Sequence, residues 1–395
     1  MFRFAYPQPF LQWSLSPPHY QPSWHVGVRM LLPKSGKLEL VACITGIPAT
    51  LQCYGRQRAV CEINFLCVDK RLRDKRLAPV LIKEVTRRVN ACGVWQAVYT
   101  AGVVLPKPVA STRYWHRSID PKKLVEVGFS RLPARTTMAR LQAGYKLPAE
   151  VATAGLRPLR PSDVPSATLA LNAYWARFAL HPVMSAEEVA HWLLPVPGVV
   201  DCCVRTKRVS RRVARAEARA RVEALCGARA GWLREHGGGE GGGWGGGGGG
   251  DSGSAETGGG RLQAPEDWAG VVAALVGPGS GDVEEEEEEV EVVTDLVSFY
   301  HLPSSVIGNP RHSHLYAAYL YYYVSDAIPL QQLLEDTLVL AQKAKIDVLN
   351  CLDLAENGPL LEALKFGPGD GHLQYYLFNW CVQAEEGAEA ASLLH

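Results

Sequence analysis

The sequence contains no apolar run near the roughly 20 residues that a membrane-spanning helix needs, so no transmembrane segment is expected. It also lacks an excess of either charge. Its 41 Lys and Arg face 40 Asp and Glu, for a net charge of +1, and no global field singles out nucleic acid or an anionic surface. The 10 cysteines form no CxxC pair and no even framework of spacings, which removes zinc ribbons and disulfide scaffolds. Met1–Tyr6 has no leader character, so the thiols are expected to be reduced in the cytoplasm. Histidines and cysteines are scattered without ligand spacing, and no metal site is expected.

What is present divides into three zones. Residues 1–205 and 291–395 read as globular sequence, and 47% of the chain is hydrophobic, enough for a large core. Between them Lys207–Arg234 is rich in Arg and Ala, Gly237–Gly260 is dominated by Gly, and Glu284–Glu289 is an unbroken acidic run. Such composition buries too little apolar area to offset the entropy of ordering. Most of 206–290 is therefore predicted to be disordered, with a solvated helix in its Arg/Ala part.

In the first zone Leu38–Ile47, Val60–Val68 and Trp95–Val104 are apolar, β-branched runs of strand length. Leu77, Val80, Leu81, Val85 and Val89 recur at helical spacing with charges between them, predicting a helix over Leu77–Val89. A seam falls at Thr153–Pro158, where Gly and Pro break both periods. Ser162 and Asp163 are candidate helix caps, and Ser185 with Glu188 has capping-box spacing. The third zone repeats the order: strand Val292–Tyr300, helix Pro329–Lys345, and strands Ile346–Leu354 and Gln374–Trp380. Two similar α/β halves point to an internal duplication.

The segment Glu62–Pro79 carries the most chemistry. A strand runs into Lys70, Arg71, Arg73, Lys75 and Arg76 and then into a helix. Unpaired N–H groups at a helix N-terminus favour an anion, and the flanking cations suit phosphate. Taken alone the cluster also fits a solvated basic turn.

Glu62–Pro79 resembles the acyl-CoA signature of the N-myristoyltransferase family. So do Ala97–Pro108 with Arg113–Ser118, and Lys365–Gly367, Gly369–Gly371, Leu373–Leu377 and Asn379–Trp380. The resemblance covers nearly all of 1–205 and 291–395. It implies an α/β fold of two acetyltransferase-like halves related by a pseudo-twofold, with mixed sheets flanked by helices. The first half, 1–152, would hold acyl-CoA. The second, 153–395, would hold much of the peptide and be interrupted by the insert at 206–290. The family also has a segment before the one matching Met1–Tyr6, so the resemblance implies an N-terminally truncated chain.

The implied activity is transfer of myristoyl from myristoyl-CoA to the N-terminal glycine amine of a protein, without a covalent enzyme intermediate. The alternative is an impaired fragment that still binds glycine N-termini. The resemblance places the thioester carbonyl over the backbone N–H groups of Phe65 and Leu66. It assigns further acyl-CoA contacts to Cys67, Val68, Asp74, Arg76, Leu77 and Ala78. Asp74 stands where the family has a small hydroxyl residue, and its carboxylate would repel phosphate. The base would be the terminal α-carboxylate of His395, with Thr100 helping to hold the amine. Peptide contacts carry over to Phe2, Phe4, Tyr6, Thr100, Gly102, Tyr114, His116, Tyr300, Ser304, Tyr319, Asp370, Gly371 and Leu373. A monomer is implied, cytoplasmic or peripheral at membranes and ribosomes.

Plainer readings compete at several positions. A Cys67–His116 acyl-enzyme is disfavoured because a free strand cysteine is usually a small buried apolar group. His116 alone would be a hydrogen-bonded core histidine. Gly367–Gly371 lacks the Lys-Ser/Thr end of a P-loop and reads as a turn. Tyr319–Tyr323 reads as strand or core aromatics. Lys207–Arg234 has the composition of an RNA binder, but an insertion between two strands is the simpler reading, and no nucleic acid is expected.

Overall fold

The computed structural model describes residues 1–31, 36–236, 268–277 and 287–380. The first half comprises β1 (Phe2–Phe4), α1 (Gln8–Leu15), β2 (Val26–Leu31), β3 (Leu38–Cys53), β4 (Arg56–Val68), α2 (Leu77–Ala91), β5 (Gln96–Ala101), β6 (Ala110–Ser118), α3 (Pro121–Glu126) and α4 (Met138–Gly144). β3 and β4 form a hairpin closed by Tyr54 and Gly55 at φ 45 and 75°, the pair of left-handed residues that matches strand twist. In α2 the expected apolar stripe is used: Leu81, Val85 and Val89 are buried against Trp24, Ile44 and Cys61. The outward face carries Glu84, bridged to Arg87 and Arg88 at 2.9 and 2.7 Å.

The second half runs through β7 (Arg157–Pro158), α5 (Val164–Trp175), β8 (Leu180–Pro182), α6 (Ala186–Leu193), β9 (Val200–Ser210), α7 (Arg211–His236) and α8 (Trp268–Val276). It continues with β10 (Glu289–His301), β11 (Ser304–Val306), β12 (His314–Leu315), β13 (Ala317–Ser325), α9 (Leu330–Lys343), β14 (Val348–Leu352), α10 (Gly358–Leu361) and β15 (Gly367–Phe378). The capping box at α6 forms: Glu188 N–H donates to Ser185 Oγ at 3.1 Å, and Ser185 N–H donates to the Glu188 carboxylate at 2.8 Å. Ser185→Ala should cost about 1 kcal/mol, read as a lower midpoint in urea at unchanged slope. Asp163 does not cap α5. Its carboxylate instead accepts from Arg160 N–H and pairs with Arg157.

The fold is mixed α/β, and one order occurs twice. β2, β3 and β4 are antiparallel, then α2 leads to β5, parallel to β4. β9, β10 and β13 are antiparallel, then α9 leads to β14, parallel to β13. Both parallel pairings are brief, Val60–Ile63 against Gln96–Tyr99 and Ala317–Tyr319 against Val348–Asn350, so each strand couple opens beyond them. The halves interlock in one 12-stranded sheet of order β2-β3-β4-β5-β15-β6-β14-β13-β10-β9-β7, with β8 as the twelfth strand paired to β3 off this path. The chain's last described strand, β15, lies between β5 and β6, and β6 pairs with β14. No helix among the described residues is long and apolar enough to cross a membrane.

Two expectations are corrected. Gly367–Gly371 is not a turn but the start of β15, whose pairing with β6 is broken between Pro368 and His372. An added Cβ at Gly369 would lie 2.3 Å from His116 Nε2 and 2.9 Å from the Tyr114 carbonyl oxygen, so the glycine serves close strand approach rather than chain reversal. The Arg/Ala part of 206–290 is not the solvated helix expected, while most of the stretch predicted to be disordered lies outside the described residues. Lys207–Ser210 and Glu289–Val292 extend the β9–β10 ladder, and α7 and α8 follow. Ala214 and Ala218, one turn apart, are buried at α7, which is therefore packed rather than solvated. Arg211 and Arg212 pair with Glu288 and Glu287 at 2.9 and 3.6 Å, and Arg208 faces Glu291 at 3.8 Å. The basic segment thus finds glutamates of its own chain, which weighs against a nucleic-acid role. The Gly-rich stretch and Glu284–Glu286 lie outside the described residues.

Candidate acyl-transfer site

The site begins with a fault in the β3–β4 ladder. Register runs to Thr45↔Asn64 and resumes at Cys43↔Cys67, so Phe65 and Leu66 together face the single residue Ile44. This is a β-bulge, with Phe65 in the left-handed region at φ 42°. Parallel pairing with β5 has already stopped at Ile63. Phe65 and Leu66 therefore have no register partner on either side of β4, and their backbone stands at the opening between β4 and β5. Leu66 is exposed, and the Phe65 ring meets Tyr6 edge-on at 5.1 Å.

Downstream of the bulge the chain runs through a basic turn into a helix. Asp69 accepts from Arg71 N–H at 2.9 Å and starts a 3-10 helix over Lys70–Lys75. The Arg71 guanidinium, and after it this backbone bond, lower the Asp69 carboxyl to about 2. Arg76 then takes φ 55° and opens α2, whose first turn has no side-chain cap and no acidic residue. The N–H groups of a helix's first turn have no partner within the helix, and basic residues of the preceding turn flank them here. Arg71 is held by Asp69 and Glu39, and Lys75 by Asp74 at 3.1 Å. Lys70 and Arg76 show no ion pair among the described residues. The Asp74–Lys75 contact offsets the charge that makes Asp74 unusual. The side chains of Val68 and Leu77 pack with the core beneath α2, leaving their backbones for any ligand.

Behind the bulge lies a cavity of about 430 Å³. Its walls come from α1 (Phe10, Trp13), β3 (Ile47–Thr50), β4 (Glu62, Asn64, Phe65, Cys67), the Pro182–Met184 segment and the Tyr300, Tyr321 and Tyr322 rings. Most of these walls are apolar, as an acyl chain requires. Ser14, Thr50, Asn64, Glu188 and Glu62 are the polar exceptions, and burial raises Glu62 to about 7, opposed by the Asn64 amide that donates to it at 3.2 Å.

A second cluster adjoins the cavity through Tyr6. Phe4 and Tyr6 rings are 5.9 Å apart, as are Tyr6 and Phe10, and Phe10 reaches Tyr300 at 6.0 Å. Tyr300 stacks on Tyr319 at 5.2 Å, and Tyr114 meets Tyr319 edge-on at 6.2 Å. Burial raises the Tyr300 hydroxyl, and nearby Tyr114, Tyr319, Tyr375 and Tyr6 add to it. Phe4 is the register partner of Ser304. Phe2 and His116 each pack edge-on against Phe129. His116 Nδ1 lies 2.6 Å from Asn350 Oδ1. A Cβ added at Gly371 would lie 3.3 Å from the Tyr114 ring. Thr100 is exposed opposite Tyr375 on β15, and a Cβ on Gly102 would lie 3.9 Å from the His372 carbonyl oxygen. Asp370 is exposed. Leu373 instead packs with Leu51 and Tyr375. No contact joins Cys67 to His116 among the described residues, and His395 lies outside them.

Comparison with known proteins accords with this geometry. The profile "Myristoyl-CoA:protein N-myristoyltransferase, N-terminal domain" matches residues 1–112. The profile for the C-terminal domain of that family matches 126–214 and 282–393. The chain belongs to the N-myristoyltransferase family. It is 40% identical over 394 residues to glycylpeptide N-tetradecanoyltransferase 2 of Bos taurus, covering 100% of this chain and 62% of the relative. It is 41% identical to the glycylpeptide N-tetradecanoyltransferase of Drosophila melanogaster, covering 100% of this chain and 66% of the relative. The chain thus spans less than two thirds of these relatives' length. Among solved structures, Saccharomyces cerevisiae N-myristoyltransferase with bound myristoyl-CoA matches at a TM-score of 0.71 and 34% identity, over 96% of this chain and 72% of that one. The C-terminal profile passes over 215–281, most of α7 and all of α8.

Sequence reading missed most of the cavity wall. Phe10, Trp13, Glu62, Asn64, Met184, Trp192, Tyr321 and Tyr322 come from segments far apart in the chain. A local signal existed only in the alternation of β4, where Glu62, Asn64 and Cys67 fall on one face while Cys61, Ile63 and Val68 face α2.

Proposed function

We propose that the protein transfers a myristoyl group from myristoyl-CoA to the N-terminal glycine amine of proteins. The observation that carries this reading is the Phe65–Leu66 bulge, which stands between the apolar cavity and the open N-terminus of α2. In this reading the acyl chain fills the cavity and the coenzyme A phosphates meet α2, Lys70 and Arg76. The thioester carbonyl then rests on the bulge. The glycine nitrogen attacks the carbonyl carbon, and the oxygen becomes an oxyanion held by N–H groups of Phe65 and Leu66. Collapse breaks the C–S bond, forms the amide and releases coenzyme A as its thiol.

A free amine is needed, since an α-amino group is mostly ammonium at neutral pH. The base is assigned by resemblance to the terminal carboxylate of His395, with Thr100 beside the amine. The aromatic groove of Phe4, Tyr6, Tyr114, Tyr300 and Tyr319 would hold the peptide and admit only a small first residue. The protein would act as a monomer in the cytoplasm or at membrane and ribosome surfaces.

The test is thiol release from myristoyl-CoA with matched peptides beginning in Gly or Ala. Release should favour Gly by about 100-fold or more. Peptide binding without thiol release would replace the transferase with a binder of N-terminal glycine peptides.

A further inference from the structure

Cys43 and Cys67 stand directly opposite each other on β3 and β4, and both are free thiols. They are the one cysteine couple in register among the described residues. Directly opposed antiparallel residues hold their Cα atoms about 4.5–5.5 Å apart, inside the range of about 4.4–6.8 Å that a disulfide spans. Cys43 Sγ lies 3.9 Å from the Phe65 carbonyl oxygen. The couple therefore sits against the bulge. Cys67 is exposed and lines the cavity, while Cys43 is half-buried. By contrast Cys53, Cys61, Cys202 and Cys351 are buried, and exposed Cys92 and Cys226 have no cysteine in register.

We propose that Cys43 and Cys67 form a redox-active dithiol that closes to a disulfide by exchange with a small disulfide such as oxidised glutathione, and that closure switches off acyl transfer. The second clause rests on the function proposed above. The exposed Cys67 thiolate attacks one sulfur of the small disulfide, whose S–S bond breaks and releases one glutathione as its thiol. The Cys43 sulfur, giving its proton to water, then attacks the Cys67 sulfur and displaces the second glutathione. Two protein thiols lose two electrons and two protons, and the small disulfide is reduced to two thiols.

Closure must draw the facing Cβ atoms from about 4.5–5.5 Å to about 3.8 Å, beside the bulge. It also withdraws the Cys43 thiol from the Phe65 carbonyl. The carbonyl-binding N–H groups move with that backbone, and a bond closed in this way is of the labile kind that thiols reopen.

The experiment treats the full chain with diamide, which takes the two hydrogens of a thiol pair and leaves no lasting adduct on a lone thiol. Non-reducing peptide mapping should find the Cys43 peptide joined to the Cys67 peptide. Gly-dependent thiol release should fall about tenfold, as expected for misplaced oxyanion donors, and return with dithiothreitol. In Cys43→Ser the ratio of activity after and before diamide should stay near one. Two reduced thiols after treatment, or a cross-linked protein with undiminished transfer, would overturn the proposal. A cross-link in a chain that releases no thiol in either state would uphold the dithiol and overturn the transferase reading instead.

Discussion

Deletion of Phe65 is expected to lower glycine-dependent transfer about 10²- to 10³-fold, the cost of losing an oxyanion donor, while the protein stays folded. The bulge makes this separation possible. Two residues of β4 face Ile44, so removing one restores a regular ladder without shifting the register on either side. Leu66 would then face Ile44 and complete an apolar row with Ile63 and Val68 above α2, where Ile44, Leu81 and Val85 already pack. The deletion also removes a residue held at φ 42°, a conformation that is costly for a side chain. Stability should hold or rise, whereas the N–H groups at the opening become ladder donors. The control is Phe65→Gly, which suits the left-handed backbone and keeps the bulge while losing the ring contact with Tyr6. It should lose less than about tenfold, since ring contacts carry about 1 kcal/mol. A deletion variant as active as Phe65→Gly, with both melting alike, would remove the bulge from the mechanism.

The bulge is invisible in the sequence for a physical reason. Asn64, Phe65, Leu66, Cys67 and Val68 form one apolar-rich run, and periodicity gives strand without saying where the ladder slips. By contrast β4, α2 and α9 were legible within a few residues, because an amphipathic helix or a buried strand writes its period into local sequence, whereas β3 runs through Pro48 to Cys53, six residues beyond its expected end. β1 and α1 were not read: β1 is three residues long, and Pro7 and Pro9 obscure a helix that starts at Gln8. For α7, composition suggested a solvated helix, but Ala214 and Ala218 are small enough to pack closely, and burial of an alanine stripe has almost no hydropathy signal. At Gly367–Gly371 the glycines by themselves suggest a turn, whereas Gly369 is there because His116 and Tyr114 leave no room for a Cβ. The basic turn ahead of an uncapped helix was legible because strand, turn and helix are contiguous. The cavity was not, because its walls meet only after β10 and β13 have packed beside α1.

That cavity sets the second large effect, at Glu62. Burial raises its carboxyl to about 7 in the folded protein, against about 4.3 in an unfolded chain. Between those values the folded state keeps a proton that the unfolded state releases. Stability from this group is therefore complete below about pH 4.3 and is lost as pH rises to about 7. The ceiling is near 4 kcal/mol by linkage. Because the carboxyl borders a cavity that can hold water, about 1–2 kcal/mol is the expected loss. His181, which burial lowers to about 4, gains stability with rising pH, so the Glu62 contribution must be read as a difference. Glu62→Gln keeps the shape and an amide for Asn64 but cannot ionise. The variant should gain on the wild type by about 1–2 kcal/mol between pH 5 and pH 8, measured as paired urea titrations at each pH. The same argument reaches the ligand. An ionised Glu62 within an apolar wall of Phe10, Trp13 and Ile47 must be neutralised or solvated before an acyl chain can lie against it. Myristoyl-CoA affinity should therefore weaken above pH 7 in the wild type and stay level in Glu62→Gln. A wild-type affinity that is flat from pH 6 to pH 8.5 would mean that the carboxyl points away from the bound chain. The polar pair with Asn64 would then belong to the strand and not to the pocket.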